Sequence, residues 1–392
     1  MKRISLFLLL FLLLKATVMY SQDGHPETNF RIVPVSPNAA SLGTYGLIPT
    51  DNYVGQARIS IPIYEIDLDG KKFPIALSYH TDGTRVAQEA TWIGLGWTLQ
   101  AGGCVVRQVQ GTDDFAARGC YNLTDAPWLT NPRFEVTDQN LEKYMGYFKG
   151  DYDAEPDMFY FNAGGHSGSM YFDVLKNNRQ LNAVPTIQTQ EKVVKMVYNT
   201  SNKTWTMTDL EGYVYSFSTK EITYYFLNTI DFFQTDITRS HIFPYYNEPQ
   251  IVTAWMLDSV TSPNGGKITF SYKKESIFTP ISTTEDVISL SKIVNGQLSS
   301  QSPQYFTNKF NYNYSYSKIE QWTLSAITFE GGKVEFGTTD REDIESAETG
   351  KKVQKLSSIK VSDTAGNLIK TTMLEYKYLL SGMAATTNGY DD

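Results

Sequence analysis

The sequence predicts an all-β fold, an antiparallel, hairpin-rich extended sheet that starts like a β-sandwich and carries at most one or two short helices. Three observations predict it. Aromatic residues make up 14% of the 392 residues, with 26 Tyr and 21 Phe, and strands favour aromatic and β-branched side chains. Ile59, Ile61 and Ile63, then Phe73, Ile75, Leu77 and Tyr79, alternate on either side of Asp69-Gly70. Period-two alternation places such side chains on one face of a sheet, and Asp-Gly supplies the positive φ angles of a tight hairpin turn. From Asp157 onward, a strand, a Gly-bearing turn and an alternating strand recur.

Taken in order, Lys2 and Arg3 precede an apolar core from Ile4 to Leu14, interrupted by Ser5 and followed by Lys15, Ala16, Thr17, Ser21 and Gln22. This is the pattern of a secretory signal peptide over residues 1–22, cleaved near Ser21 or Gln22. Its apolar core is shorter than the roughly 20 residues a membrane span requires. An uncleaved anchor is the alternative, and the absence of a cysteine near the cleavage point argues against a lipid anchor. The mature chain is expected to be exported to the extracellular space or outer cell surface, with the periplasm as the alternative. It is expected to have no membrane span after cleavage. Net charge is −8 and the pI about 5.2. Basic residues gather only in pairs such as Lys273-Lys274 and Lys351-Lys352, so no nucleic-acid partner is expected.

Residues 23–115 read as an N-terminal β module: a lead-in loop to about Tyr53, the hairpin, a turn at Gly94 and Gly96, a strand at Trp97–Leu99, a break at Gly102-Gly103, and a strand begun by Val105-Val106. Residues 116–156 read as a turn-rich connector. Leu141, Tyr144, Met145 and Phe148 have helical spacing there, with Asp138 as N-cap. Residues 157–392 read as a hairpin-repeat region. Its strand pairs surround the turns Ala163–Gly168, Asp209–Gly212, Pro263–Gly266, Glu330–Gly332 and Thr364–Gly366. The last three pairs open alike, with Leu257-x-x-Val260, Leu324-x-x-Ile327 and Leu356-x-x-Ile359. A single hairpin is unstable alone, so these units are expected to tile side by side.

On these motifs the chain resembles the N-terminal region of the large secreted Rhs/YD-repeat proteins of Bacteroidetes-type bacteria. The segments that carry the resemblance are Ser41–Gly46, Ile59–Tyr64, Pro74–Tyr79, Trp92–Trp97, Ala101–Gly103, Glu155–Phe159, Thr253–Trp255 and Ser262–Gly265. The stretch LSYHTDG…WIGLGWTLQAGG is also similar to the opening of insecticidal-toxin B subunits and virulence-plasmid B proteins. The resemblance implies a β shell that wraps or presents a C-terminal effector, often a toxin. The partners it implies are the remainder of an Rhs-type polypeptide or that effector, and a cell-surface protein or glycan as well. No array of Tyr-Asp units, self-cleaving core motif or effector follows before Asp392, so the chain reads as a fragment of such a protein.

No catalytic or cofactor-binding residue is expected. Gly164-Gly-His-Ser-Gly168 has the wrong register for a nucleophile elbow, and Gly94-x-Gly96 lacks a βαβ context for a dinucleotide. Asp113-Asp114 has no legible partner for glycoside hydrolysis. Asp151, Asp153, Glu155 and Asp157 alternate and form a weak Ca²⁺ candidate, for which a solvated acidic loop is the plainer reading. Cys104 and Cys120 are a disulfide candidate, which would contribute roughly 3 kcal/mol on the loop-entropy model; two buried thiols are the alternative. Trp92 and Trp97 could stack on a sugar ring, or pack in the core. The functional expectation is a non-enzymatic structural or interaction protein. The rivals are an extracellular adhesin or glycan-binding module, and, further off, a secreted hydrolase with His166 or His80 facing a carboxylate.

Overall fold

The computed structural model describes residues 35–39, 42, 58–80, 88–111, 113–116, 119–122, 141, 153, 155–173, 184–188, 194–233, 241–242, 246–247, 250–279, 282–290, 293–294, 297–298 and 307–378. The expected signal peptide lies outside them, as does the expected helix over 140–148 except for Leu141, which is helical. The chain divides into two units, Met1–Arg31 with Gln110–Glu155, and Ile32–Val109 with Pro156–Asp392. In the first unit the described residues make a tight turn. Ala116 N–H donates to Asp113 O at 2.8 Å and Gly119 N–H to Ala116 O at 3.0 Å. A 3-10 turn at Cys120–Asn122 follows, and the Phe115 and Tyr121 rings meet edge-on.

The second unit is all β, as expected. Strands β1 (Arg58–Leu68), β2 (Lys71–His80) and β3 (Trp97–Gln100) make a three-stranded antiparallel sheet in that order. A second sheet has 16 strands. They are β4 (Gly103–Gln108), β5 (Met158–Ala163), β6 (His166–Tyr171), β7 (Thr186–Ile187), β8 (Val194–Asn199), β9 (Thr204–Asp209), β10 (Val214–Phe233), β11 (His241–Ile242), β12 (Tyr246–Asn247), β13 (Ile251–Thr261), β14 (Lys267–Phe278), β15 (Ser282–Leu290), β18 (Thr307–Phe329), β19 (Gly332–Asp340), β20 (Gln354–Ser362) and β21 (Leu368–Met373). Strands β16 (Ile293–Val294) and β17 (Gln297–Leu298) pair with each other. All five hairpins expected beyond Asp157 form, as β5–β6, β9–β10, β13–β14, β18–β19 and β20–β21.

The chain passes from the small sheet to the large one at Ala101-Gly102, between β3 and β4. Gly103 opens β4 against Ala163 of β5. A Cβ at Gly103 would overlap the Asn162 carbonyl oxygen, so only glycine lets the two backbones approach this closely. Strands β10 and β18 run 20 and 23 residues, far beyond the usual five or six. They last because each changes partners along its length. Residues 214–223 of β10 pair with β13 and residues 222–233 with β18. One part of β18 pairs with β10 and β15, the other with β14 and β19.

The β1–β2 hairpin turns at Asp69-Gly70 with φ of 51° and 91°, as expected. Its register, however, slips at Ile63, so Tyr64 and Ile66 stand opposite Ile75 and Phe73. The extra residue breaks the Ile59-Ile61-Ile63 phase. Ile63 is buried, whereas Ile59 and Ile61 are 46% and 44% exposed, so the expectation that all three share one buried face is corrected.

The shared Leu-x-x-Ile/Val opening has a physical basis. A spacing of three on a regular strand puts two side chains on opposite faces, yet both are buried in all three copies. In each copy the residue after the leucine is skipped by the partner strand. Leu257 and Ser259 stand opposite Phe217 and Ser216, leaving Asp258 unpaired. Leu324 and Ala326 stand opposite Tyr272 and Ser271, leaving out Ser325. Leu356 and Ser358 stand opposite Thr338 and Gly337, leaving out Ser357. In the second and third copies the motif therefore encodes a β-bulge, which returns both apolar side chains to the core and sharpens the local twist; in the first, Ser218 is skipped as well, so the register breaks at Leu257 and is restored at Met256.

The bulged residues also repair the ladder. Ser218 of β10 is skipped opposite the first break. The Asp258 carboxylate accepts from the Ser218 and Thr219 backbone N–H groups and from both hydroxyls, the last two at 2.6 and 2.5 Å. Ser325 Oγ donates to Ser271 O at 2.9 Å.

The core beneath β5, β6, β8, β9 and β13 is aromatic. Phe159, Phe172, Tyr198, Trp205 and Trp255 form a chain of ring contacts with centroids 4.8–6.3 Å apart. Beside it the buried Arg107 forms an ion pair with the buried Asp157 and lies over the Phe159 ring. Asp258→Ala is expected to lower stability by about 1 kcal/mol, the net worth of hydrogen bonds that water can replace at this partly exposed break. The midpoint of urea unfolding measures it; an unchanged midpoint would show that the break needs no carboxylate.

Candidate functional site

Four hairpin turns meet at one place in the second unit, and one carboxylate ties them together. Asp209, at the end of β9, caps its own turn. Its Oδ1 accepts the backbone N–H groups of Glu211 at 3.0 Å and Tyr213 at 2.9 Å, while Gly212 N–H donates to its carbonyl at 3.2 Å. This is the local hydrogen bonding that suits Asp to turns. Asp363 uses the same device before Gly366, accepting from Ala365 and Asn367. Only in the Asp209 turn does the second oxygen reach other hairpins. Oδ2 accepts from Lys71 Nζ at 2.5 Å and from Tyr215 OH at 3.1 Å, and His166 Nε2 lies 3.8 Å away.

Lys71 belongs to the β1–β2 turn and His166 to the β5–β6 turn. The Tyr213 hydroxyl donates to the carbonyls of Leu68 and Asp69 at 3.0 and 3.2 Å, which joins the β9–β10 turn back to β1. Ser262, at the β13–β14 turn, donates to Asp69 Oδ2. Gly164, with φ +59°, sits so close to Tyr215 that a Cβ would overlap the phenol. An open recess of about 850 Å³ lies over the cluster, walled in part by Lys71, His166, Glu211, Tyr213 and Asn264.

The electrostatics are those of a fixed fastening. Burial raises the Asp209 pKa, but the Lys71 ammonium, the Tyr213 N–H and the Tyr215 hydroxyl outweigh it and hold the carboxyl below its ordinary value. Burial disfavours the Lys71 charge, but Asp209 and Glu211 more than restore it and hold the ammonium well above its ordinary value. Burial pushes the Tyr215 phenol up. None of the three changes protonation near neutral pH.

The remaining expected residues lie elsewhere. Of the Ca²⁺ candidate, Asp151 is outside the described residues. Asp153 is buried and its Oδ1 accepts the Glu155 N–H at 3.0 Å, whereas Asp157 is committed to Arg107. No His, Cys, Asp and Glu group among the described residues is arranged to hold a metal. Cys104 is buried in β4 of the second unit, and Cys120 opens the 3-10 turn of the first. Trp92 is 6% exposed and packs on Phe336, so it has no open face for a sugar. Trp97 is half-buried against Tyr79, with centroids 5.2 Å apart. Asp113 caps its turn at Phe115 N–H, and Asp114 is fully buried.

The sequence reading singled out His166 but missed its partners. Asp209-x-x-Gly212 marks a capped turn, and nothing local marks Lys71, 138 residues earlier, as its partner. A second cavity, of about 310 Å³, lies between the two sheets, lined by Ile66, Phe73, Ile75, Leu99, Ile268 and Phe270 among others.

No family model and no curated protein matches the chain. Among solved structures, the chain is similar to one in the crystal structure of TcdB2-TccC3 with Cdc42, at 11% identity and TM-score 0.34, over 82% of this chain. It is also similar to one in the Tc holotoxin pore of Photorhabdus luminescens, at 9% identity and TM-score 0.35, over 88% of this chain. It spans 14% of the length of either.

Asp209→Asn is expected to cost on the order of 3 kcal/mol, because it leaves the Lys71 ammonium without its buried counter-ion. A depressed carboxyl contributes stability that is present above pH ~4 and lost as the pH falls through its folded value. An elevated ammonium contributes stability that is present below pH ~10 and lost above. Thermal melts should therefore show the wild-type advantage over Asp209→Asn across the neutral range, shrinking toward both extremes; an advantage independent of pH would count against the ion pair.

Proposed function

We propose that this chain is an exported, non-enzymatic structural module: a stretch of β shell of the Rhs/YD-repeat type that starts or plugs a wall around an effector, or presents that effector. The observation that carries this reading is the register break set at the same place in three hairpins, a compensated break at Asp258 and β-bulges at Ser325 and Ser357. A bulge bends its strand and increases its twist. Repeating it at one position, hairpin after hairpin, is a way to make a sheet curve as it extends.

The Asp209 cluster serves the same end, since it pins the small sheet to the turns of the large one. The edge strand β21 supports the reading further. Leu368, Ile369 and Met373 are 63%, 57% and 68% exposed, and among the described residues β21 pairs only with β20. An open edge with apolar side chains calls for cover. The natural cover is the next hairpin of the same wall, in the remainder of an Rhs-type polypeptide. Export rests on the pattern of residues 1–22.

Sedimentation velocity on the purified mature chain tests the edge. Concentration-dependent self-association is expected, as is its loss in a variant carrying Leu368→Lys and Ile369→Lys. A monomer at every concentration would overturn the reading.

A further inference from the structure

Residues 35–39 lie over a fully buried carboxyl. Glu221 of β10 is 0% exposed. Its Oε1 accepts the Ser36 backbone N–H at 2.8 Å and the Thr253 hydroxyl at 3.1 Å, and Thr253 in turn meets the Thr223 hydroxyl at 3.1 Å. Its Oε2 has no hydrogen-bond partner among the described residues. The other titratable group that faces it is the buried Cys104 thiol of β4, and no cation is paired with it among the described residues. Burial holds the Glu221 carboxyl above its ordinary value despite the Ser36 and Thr253 hydrogen bonds. An ionised carboxylate in this place is disfavoured, because the Ser36 and Thr253 hydrogen bonds only partly offset its lost hydration.

The same segment has a second polar attachment. Asn38 Oδ1 accepts the Trp92 N–H at 2.9 Å, and Asn38 Nδ2 donates to Gln321 Oε1 at 3.3 Å. Gln321 Nε2 donates onward to Glu275 Oε2 at 3.4 Å. Arg341, Lys273 and the Gln354 backbone also face Glu275, and burial pushes its carboxyl up to about 7. Between these two attachments, Ala39 packs into the buried cluster of Cys104, Val106, Ala254 and Met256. Two carboxyls that burial holds above their ordinary values thus lie at the two polar footholds of one short segment, and an apolar cluster lies beneath it.

We propose that residues 35–39 are a proton-linked latch, docked while Glu221 is neutral and released when it ionises. The ligand that closes it is the hydrogen ion. A carboxyl that binds its proton more tightly when buried favours docking at low pH. That advantage is lost as the pH rises through the elevated value. Release lets Glu221 hydrate and uncovers the Cys104–Met256 cluster. The latch does not depend on the shell reading, since it rests on Glu221 and residues 35–39 and not on the open edge of β21.

Hydrogen exchange measured by mass spectrometry on the full chain, corrected for intrinsic rates, tests it from pH 5 to pH 9. Protection of peptides containing residues 35–39, relative to the β13–β14 hairpin, is expected to fall about tenfold or more in the wild type. In Glu221→Gln only the smaller part near neutrality that Glu275 supplies is expected to remain, and Glu275→Gln is expected to remove that part. A constant ratio in the wild type overturns the latch, and so does a Glu221→Gln variant that keeps the wild-type slope. If Glu221→Gln does not fold, the wild-type series decides: a fall with rising pH supports the latch, and a level ratio removes it.

Discussion

A sheet that bends must still pair its backbone and keep its apolar side chains inward, and the rest of this structure depends on how those two demands are met together. A regular strand cannot meet both, because its side chains alternate strictly. The chain inserts one residue after Leu324 and Leu356, and after Leu257 it breaks the register with one residue skipped on each strand. Each break changes the phase and leaves backbone groups without ladder partners. Asp258 and Ser325 then supply the missing partners from their own side chains. The polar character of these positions is thus a condition for the apolar ones to stay buried.

The turns are subject to the same accounting. Hairpin tips carry backbone donors that the ladder does not use, and Asp209 and Asp363 absorb them with one carboxylate oxygen each. At Asp209 the second oxygen faces Lys71, Tyr215 and His166, so a local cap also becomes a long-range tie. The Asp209 cluster and the Glu221 site are opposites in electrostatic terms. The first sets a cation against its carboxylate, and the Asp209–Lys71 pair keeps both charges through neutral pH. The second surrounds its carboxyl with hydroxyls, a thiol and a backbone N–H, which leaves its charge uncompensated.

Much of the fold could be read from the residues. Alternation and Gly-bearing turns located the Asp69-Gly70 hairpin and the five later ones, because period two and positive φ are local properties. The 20- and 23-residue lengths of β10 and β18 were not legible. Residues such as Ser218, Thr219 and Lys220 look like a strand end, and only a change of partner lets the strand continue. The Leu-x-x-Ile/Val opening was visible as a repeat, but a bulge is a relation between two strands and needs the partner's register. The Ile63 slip escaped for the same reason. Of the site, His166 stood out by its rarity and its glycine neighbours, whereas Lys71 and Glu221 looked like ordinary surface residues of a strand. Their partners lie 138 and 185 residues away in the chain, a distance at which no spacing rule operates.

The order in which the chain can assemble follows from one pairing. Residues 104–106 of β4 sit against residues 254–256 of β13, with a whole connector and several hairpins between them in sequence. Hairpins close within microseconds, whereas ladders between distant segments come late. Until β13 arrives, one edge of β4 stays bare, with Val105 and Val106 at hand. That interval is when a newly made chain is most open to mispairing with a neighbour, and the aromatic cluster around Trp255 seals only once it has ended.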